Sequence, residues 1–487
     1  MRAAPRLLIT IVVDQLAAWE AAERWSQLPA DGGFARLRRE GLTVPELRFE
    51  HAATDTAPGH AALYTGAVPR VSGIFANEVP GPDSKPRSIL ADEQTRLVGS
   101  DGVEIKRPGS SLARLRVDTL ADVLVRALPR ARVYSFSLKD RAALFGAGRK
   151  PTLALWLDVP TEQVVSSTGL PAPTVWAARV GSKEAVTGAR AGGWMLADAE
   201  RGWVEAHAGE PDDQRGEGDL AGLGRAFPHA AIGSAKAMRA TPVGDRVLFG
   251  LAAAALGEIA ADKTAAPALL ALSLSSHDYV AHVFGPHSWE AWAELRELDH
   301  RLGELLAAAD RAVGPDGYAV MLTGDHGGGA LPEIDPERRV EAARRFMARR
   351  LEFDEAERAA MIEQVLAIIG DGRFGDLFQP GSRAEVPVVG RLKIGDRSVA
   401  VSGQLDRLVV SANEVLIADY KTNRPAPGEF QDVPPAYVGQ LALYRAVLAK
   451  LYPDKPIRAA LVFTEIPQLM EVPAQAMDAA LSRLPAQ

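Results

Sequence analysis

The sequence predicts an α/β protein in two domains, and three observations carry that reading. Short apolar runs alternate with amphipathic stretches as far as about residue 155, the pattern of parallel strands joined by crossover helices. Tyr318 to Leu322 reads as a buried strand running into Gly324, Asp325 and His326, which is how open α/β sheets present ligands at strand C-termini. All nine histidines lie at or before His326, and within a few residues the character of the chain changes. The first domain is assigned to 1–329 and the second to 331–487.

Taken in order, LLITIVV (7–13) is a strand rather than a signal peptide, because no small-residue cleavage site follows and the next residue, Asp14, is a candidate ligand. GGFARLRREG reads as a helix, and the ARVYSFSL and TLALWLD runs as strands. From about 160 to 245 the pattern loosens into Gly, Ala and short polar runs, the mark of a cap or insertion. Strands return at Ala268–Leu274 and Tyr318–Leu322. Between them Trp292, Leu295, Leu298, Leu302, Leu305 and Leu306 recur at helical spacing. Asp335 and Pro336 make an N-cap and first-turn pair for an arginine-rich helix through Leu351. A helix over about 354–369, strands in VAVSGQLDRLVV and EVLIADYKT, a helix over about 435–451, the strand AALVFTE and a short helical tail complete the chain.

Composition narrows the function. With 487 residues the chain has room for two or three cores. No apolar run approaches a membrane span, so no membrane partner is expected. The absence of cysteine excludes disulfides, thiolate zinc sites and iron–sulfur clusters. A net charge of −7 argues against a general nucleic-acid clamp but not against a metal-dependent nuclease, whose divalent ions offset carboxylates.

Chemistry-bearing residues fall at strand ends of the first domain. Asp14 ends the first strand, Thr56 sits in TDTAPGH, Asp278 and His282 stand four apart in HDYVAH, and Asp325 and His326 follow the last strand. Oxygen and nitrogen ligands at one sheet edge suit a pair of zinc-like ions. A threonine hydroxyl beside such ions is a competent nucleophile, because the cation does the deprotonating.

These residues resemble the alkaline phosphatase superfamily, in the branch that uses a threonine nucleophile against phosphate monoesters and diesters. The resemblance runs over residues 5 to 329, through VVDQL, TDTAPGHAALYTGAVPRVSGIFANE, SLKDRAALFGAG, SSHDYVAHVFGPHSWE and LTGDHGG. It implies an α/β/α sandwich on a parallel sheet and two Zn2+ ions. Asp14, Asp325 and His326 would hold one ion, which also meets Thr56; Asp278 and His282 would hold the other. Asn77, Lys139 and Arg141 match the side chains that grip the phosphoryl oxygens, which need charge and donors more than acid or base. Lys139 and Arg141 are expected to point the same way from an extended segment. The second zinc lacks the family's downstream histidine ligand, for which His287 or His60 are the available substitutes. His51, His207, His229 and His300 are read as hydrogen-bonded structural residues.

The second domain carries another set. Asp419 and Lys421 are two apart in a strand and so face one side, Asp406 lies in the preceding strand, and Glu385 in SRAEVPVVG opens a third. Two carboxylates with an ammonium suit Mg2+ polarising a scissile phosphate, and Gln440 and Tyr444, on one helix face, are placed to steady the lysine or contact DNA. GQLDRL, ADYKTN and QLALY resemble the restriction-endonuclease-like PD-(D/E)xK nuclease domain of AddA-type double-strand-break repair subunits. That resemblance implies Asp406, Asp419 and Lys421 as catalytic residues with Gln440 and Tyr444 trailing, a DNA substrate and an AddB-type partner subunit. The class's upstream helix histidine is missing. Arginines 338, 339, 344, 345, 349 and 350 read as a solvated helix face, since Glu337 and Glu341 interleave with them.

The expectation is therefore a tandem hydrolase of phosphate esters, placed in the cytoplasm. Its first piece is cut off after the DHG motif and its second entered after its opening motif, so that 325–337 reads as a seam. The alternative is a fusion or assembly remnant that at most binds metal or DNA.

Overall fold

The computed structural model describes residues 5–329 apart from 46, 82–85, 210 and 215–216, and residues 353–483 apart from 379–381, 395–396 and 412, with 340, 343–344 and 346–347 between. It separates into two compact units, Met1–Ala330 and Leu331–Gln487. The Asp335–Pro336 helix start and every arginine of that helix except Arg344 lie outside the described residues.

Unit one is built on β1 (Leu7–Val13), a small hairpin of β2 (Glu78–Pro80) and β3 (Pro86–Ser88), then β4 (Ala91–Gly99), β5 (Glu104–Ser110), β6 (Arg132–Ser137), β7 (Leu153–Asp158), β8 (Gln163–Ser167), β9 (Ala268–Leu274) and β10 (Tyr318–Thr323). The main sheet runs β10-β1-β9-β6-β7-β8-β4-β5. Its first five strands are parallel, and the last three continue antiparallel. The sheet is thus mixed, where a parallel one was expected. The link from β7 to β8 is too short for a crossover, so the chain must turn back on itself there. That hairpin also revises the cap: residues 163–167 complete the sheet, and the helix Pro242–Ala261 buries Val243, Leu248, Leu251 and Ala255 in the core shared with β1, β6 and β9.

The helix Trp289–Val313 begins with Ser288 accepting a hydrogen bond from Ala291 N and buries every apolar position that the spacing singled out. β10 departs from expectation. It pairs with β1 alone among the described strands, and its residues alternate in exposure, with Met321 39% exposed. It is an edge strand, and its apolar composition reflects the single face that packs on the core.

Unit two is a five-stranded sheet of β11 (Ser382–Ile394), β12 (Arg397–Val410), β13 (Val415–Lys421), β14 (Ile457–Phe463) and β15 (Gln468–Glu471), in that order. Only β13 and β14 are parallel, and the helix Pro435–Leu451 makes the crossover between them. That helix packs Leu441, Ala442 and Leu448 against Leu405, Ile417 and Leu461 on one face. On the other, Ile368 of the helix Glu355–Gly370 joins Phe374, Leu377, Leu416 and Val462. Asp354 and Glu357 close a capping box at the start of that helix.

Candidate active site

Four parallel strands deliver the first constellation to one edge of the sheet. Asp14 follows β1, and its backbone N–H extends the ladder to Leu274 O at 2.9 Å. Lys139 follows β6, Asp278 and His282 lie on the helix Ser276–Phe284 after β9, and Asp325 and His326 follow β10. Thr56 is the first residue of the helix Thr56–Thr65, where the unpaired N–H groups of a helix start favour negative charge. Gly59 lets that helix lie on the β10 end, because a Cβ there would sit 2.2 Å from Asp325 O.

The side chains converge. Thr56 Oγ1 lies 3.4 Å from Asp14 Oδ1 and 3.2 Å from Lys139 Nζ. Lys139 Nζ bridges Asp14 Oδ2 and Asp278 Oδ2, at 2.6 Å from each. His326 Nε2 is 3.3 Å from Asp14 Oδ1, and His282 Nε2 is 3.2 Å from Asp278 Oδ1. Asn77 Oδ1 accepts from Ala57 N at 2.8 Å and so pins the helix start that carries Thr56. Asp14 is fully buried and Lys139 is 5% exposed. Burial opposes ionisation of Asp14, yet Lys139 and His326 hold its carboxyl well below the usual range. Burial likewise opposes charge on His326, and its contacts with Asp14 and Asp325 override that, raising it to about 9.

A metal fits this donor set. Among the described residues, Asp14, Asp278 and His326 offer ligand atoms within 4.8 Å of one another. Asp14 Oδ2 and Asp325 Oδ2 are buried beside Lys139 Nζ at 2.6 Å and His60 Nδ1 at 2.9 Å, but neither contact is a well-directed hydrogen bond, which leaves both carboxylate oxygens open to a cation. This tight group draws Asp14 and His326 from one expected ligand set and Asp278 from the other.

Several expected residues land elsewhere. Arg141 does not extend from a strand beside Lys139: Lys139 caps the helix Asp140–Ala147 and Arg141 lies in its first turn, 3.8 Å from Asp140. His60 is buried, with Nδ1 3.0 Å from Thr56 O and 2.9 Å from Asp325 Oδ2 and Nε2 2.8 Å from Ser273 Oγ, so it braces the site from behind. His287 lies tilted against Trp19, with ring centroids 5.2 Å apart, and meets Arg24 at 3.2 Å. His207 and His229 are hydrogen-bonded as expected, and exposed His300 lies 3.5 Å from Glu304. His51 is the exception, since its Nε2 is buried without a partner and burial lowers its pKa.

Sequence reasoning passed over Gln15 and His277. Gln15 takes a left-handed backbone, φ 67°, that turns its N–H to Asp325 Oδ1 at 3.0 Å and its amide to Asp278 Oδ1 at 3.1 Å. His277 is buried between Glu294 Oε2 at 2.8 Å and Glu20 Oε2 at 3.1 Å, an ion-paired anchor beneath Asp278. A polar side chain beside a strand-end aspartate was the available signal for Gln15.

In unit two, Asp419 and Lys421 form an ion pair on β13. Lys421 Nζ donates to Gln440 Oε1 at 3.2 Å, and Gln440 Nε2 donates to Tyr444 Oη at 3.2 Å. Asp406 Oδ2 accepts from Tyr420 N at 2.6 Å. Burial raises the Asp419 carboxyl, and the charge of Asp406 adds to it. The side chain of Glu385 lies outside the described residues.

The site thus joins a mixed α/β sheet to a threonine at a helix start, facing carboxylates, imidazoles and an ammonium at the ends of its parallel strands. The chain belongs to the type I phosphodiesterase / nucleotide pyrophosphatase family, whose model matches residues 8–386. It is 31% identical over 384 residues to the alkaline phosphatase PhoK of Sphingomonas sp, covering 77% of this chain and 65% of that protein. It is 30% identical over 335 residues to the alkaline phosphatase PafA of Elizabethkingia meningoseptica, covering 66% and 60%. The crystal structure of wild-type PafA superposes with a TM-score of 0.61 at 28% identity, over 68% of this chain and 64% of that one. A PafA variant altered at a threonine, an asparagine, a lysine and an arginine gives the same TM-score at 25% identity, over 70% and 69%. The chain thus spans 60–65% of the length of these two curated relatives. The family match continues past Gly329 into β11, so it lends no support to a join at 325–337. No helix among the described residues is long and apolar enough to cross a membrane.

Proposed function

We propose that unit one hydrolyses phosphate monoesters or diesters through Thr56. The observation that carries the reading is Thr56 Oγ1 at a helix start, between Asp14 and Lys139. Further support comes from the PafA variant, whose altered threonine, asparagine, lysine and arginine are spaced by 21, 62 and 2 residues, as Thr56, Asn77, Lys139 and Arg141 are here. Zinc held by Asp14, Asp278, His282, Asp325 and His326 would lower the pKa of the threonine hydroxyl and offset charge on the phosphoryl oxygens. Thr56 Oγ1 attacks phosphorus, the ester P–O bond breaks, and the alcohol leaves with a proton. Water then cleaves the phosphothreonine, releasing phosphate and restoring the hydroxyl. Lys139 and the Asn77 amide supply donors to the equatorial oxygens, and the helix start adds its N–H groups. The test is turnover of an aryl phosphate and a bis-aryl phosphate by the zinc-loaded full chain: Thr56→Ala should abolish both, and activity that survives the change ends this reading.

A second reading concerns unit two, which we read as a magnesium-dependent DNA nuclease of the AddA type working in the cytoplasm, with an AddB-type subunit as candidate partner. Its support is the run Asp419–Lys421–Gln440–Tyr444 beside Asp406, which sets an ammonium next to two carboxylates suited to a hard ion. End-labelled DNA with Mg2+ tests it. Loss of cleavage in Asp419→Ala is expected, and equal cleavage by the variant removes the reading. Zinc-loaded chain inert on both substrates would leave the remnant reading in its place.

A further inference from the structure

A second cation stands near Lys139 without a carboxylate to answer it. Tyr279 follows the expected ligand Asp278 on the helix Ser276–Phe284. Its ring centroid lies 4.9 Å from Lys139 Nζ and 4.3 Å from Arg239 Cζ. The guanidinium therefore stands no farther from Lys139 Nζ than those two lengths laid end to end, so one small substrate can reach both cations. Arg239 Nη1 donates to Tyr279 Oη at 2.7 Å, its one side-chain hydrogen bond among the described residues. Arg239 Nε is closed off from solvent and has no partner. A guanidinium carries five N–H donors, so most of this one's capacity is unused.

The backbone that carries Arg239 is fixed at the same sheet edge. Ser234 Oγ accepts from Ala237 N at 3.2 Å to start the short helix Ala235–Met238, whose Ala235, Ala237 and Met238 are buried, and Arg239 closes it. In the next helix, Pro242–Ala261, Asp245 accepts from Ser275 N and Ser276 N, each at 3.2 Å, where the helix bearing Tyr279 begins. Elsewhere in unit one Arg24, Arg36, Arg190 and Arg246 each meet a carboxylate at 2.8–2.9 Å. Half-buried Arg239 meets none within ion-pair distance among the described residues. The tyrosine face offsets part of its desolvation but leaves its charge unneutralised.

We propose that Arg239, held on Tyr279, binds a second anionic group, a carboxylate or phosphate on the organic part of the ester, and so selects for substrates that carry one. This rests on the reading of unit one as a phosphate-ester hydrolase. Thr56 and Lys139 meet the phosphoryl group, and Arg239 meets the second charge a few bonds away. Its planar fork matches either anion with two parallel hydrogen bonds. Arg239 takes no part in bond making; it sets which ester is held.

The test is calorimetric binding of three ligands that cannot be hydrolysed, phenylphosphonate, 3-phosphonobenzoate and 1,3-phenylenediphosphonate, to the zinc-loaded full chain. The wild type should bind at least one of the two doubly anionic ligands about tenfold or more tighter than phenylphosphonate, the size of one charge-assisted hydrogen bond. Arg239→Met should remove that preference, and Arg239→Lys, which keeps the charge but not the fork, should retain part of it. Among the matching aryl phosphates the same preference should appear in KM rather than in kcat. Equal affinity of the wild type for all three ligands overturns the subsite, and that comparison needs no variant to fold. A preference that survives intact in Arg239→Met also overturns it, because the second anion is then held elsewhere, as by the metal. Failure of the Thr56 reading shows separately, as phenyl phosphate turnover that persists in Thr56→Ala, and the phosphonate preference is readable in that variant too.

Discussion

Replacing Lys139 by methionine removes a buried ammonium that touches two buried carboxylates at 2.6 Å and keeps nearly the same volume. In metal-free protein the change leaves Asp14 and Asp278 with only His326 and His282 to offset two buried charges. Breaking a buried pair in this way costs about 3–5 kcal/mol, or roughly 6–10 °C in the melting of a unit this large. A divalent cation on the same carboxylates restores the balance. Zinc should therefore raise the melting temperature of Lys139→Met by much more than it raises the wild type's. Turnover should still fall by about 10²–10³, because a donor to the phosphoryl oxygens is gone. Calorimetry with chelator and with zinc, alongside aryl phosphate kinetics, reads both effects. Equal melting of wild type and variant in chelator, or equal zinc stabilisation of the two, would refute the reasoning.

Other consequences are smaller but separable. Gln15→Ala leaves the backbone bond to Asp325 and removes the amide that orients Asp278 and His282, so zinc affinity by chelator competition should fall about 10–100-fold. Gly59→Ala drives a methyl into Asp325 O, so the helix bearing Thr56 must shift. Overpacking of this kind costs about 1–3 kcal/mol, and a displacement near 1 Å costs about 10² in rate; normal turnover by the variant would contradict the close approach. Glu217 sits at about 8 in the folded chain against its ordinary 4.5. The folded state then binds more protons between those values, so its contribution is full below about pH 4.5 and is lost as pH rises through about 8. In chelator, the stability of Glu217→Gln relative to the wild type should increase over that window, and a flat difference in melting temperature would contradict the assignment.

The parts of the molecule that could be read from residues alone were those built from local pattern. β1, β9 and the helices Trp289–Val313 and Pro435–Leu451 announce themselves by runs and spacing, and the strand-end residues Asp14, Asp278 and Asp325 follow from them. β4 and β5 did not, because ADEQTRLVG and EIKRPGS are mostly polar and extend the sheet through pairing with β8, a tertiary fact. The extended segment expected at Lys139 and Arg141 is not there, because Lys139 caps a helix, which ends the two-residue alternation at that point. Gln15, His60 and His277 each owe their places to partners more than two hundred residues away: Asp278 for Gln15, Ser273 and Asp325 for His60, and Glu20 for His277. No window of sequence contains those pairs.

The central claim is that Thr56 carries the phosphoryl group during turnover. Rapid acid quench of the zinc-loaded chain with aryl phosphate, followed by peptide mass spectrometry, tests it directly. The account predicts one added phosphoryl group on the peptide TDTAPGH, located at Thr56 and absent from Thr56→Ala. Turnover with the label on another residue would contradict it, as would turnover that persists in Thr56→Ala.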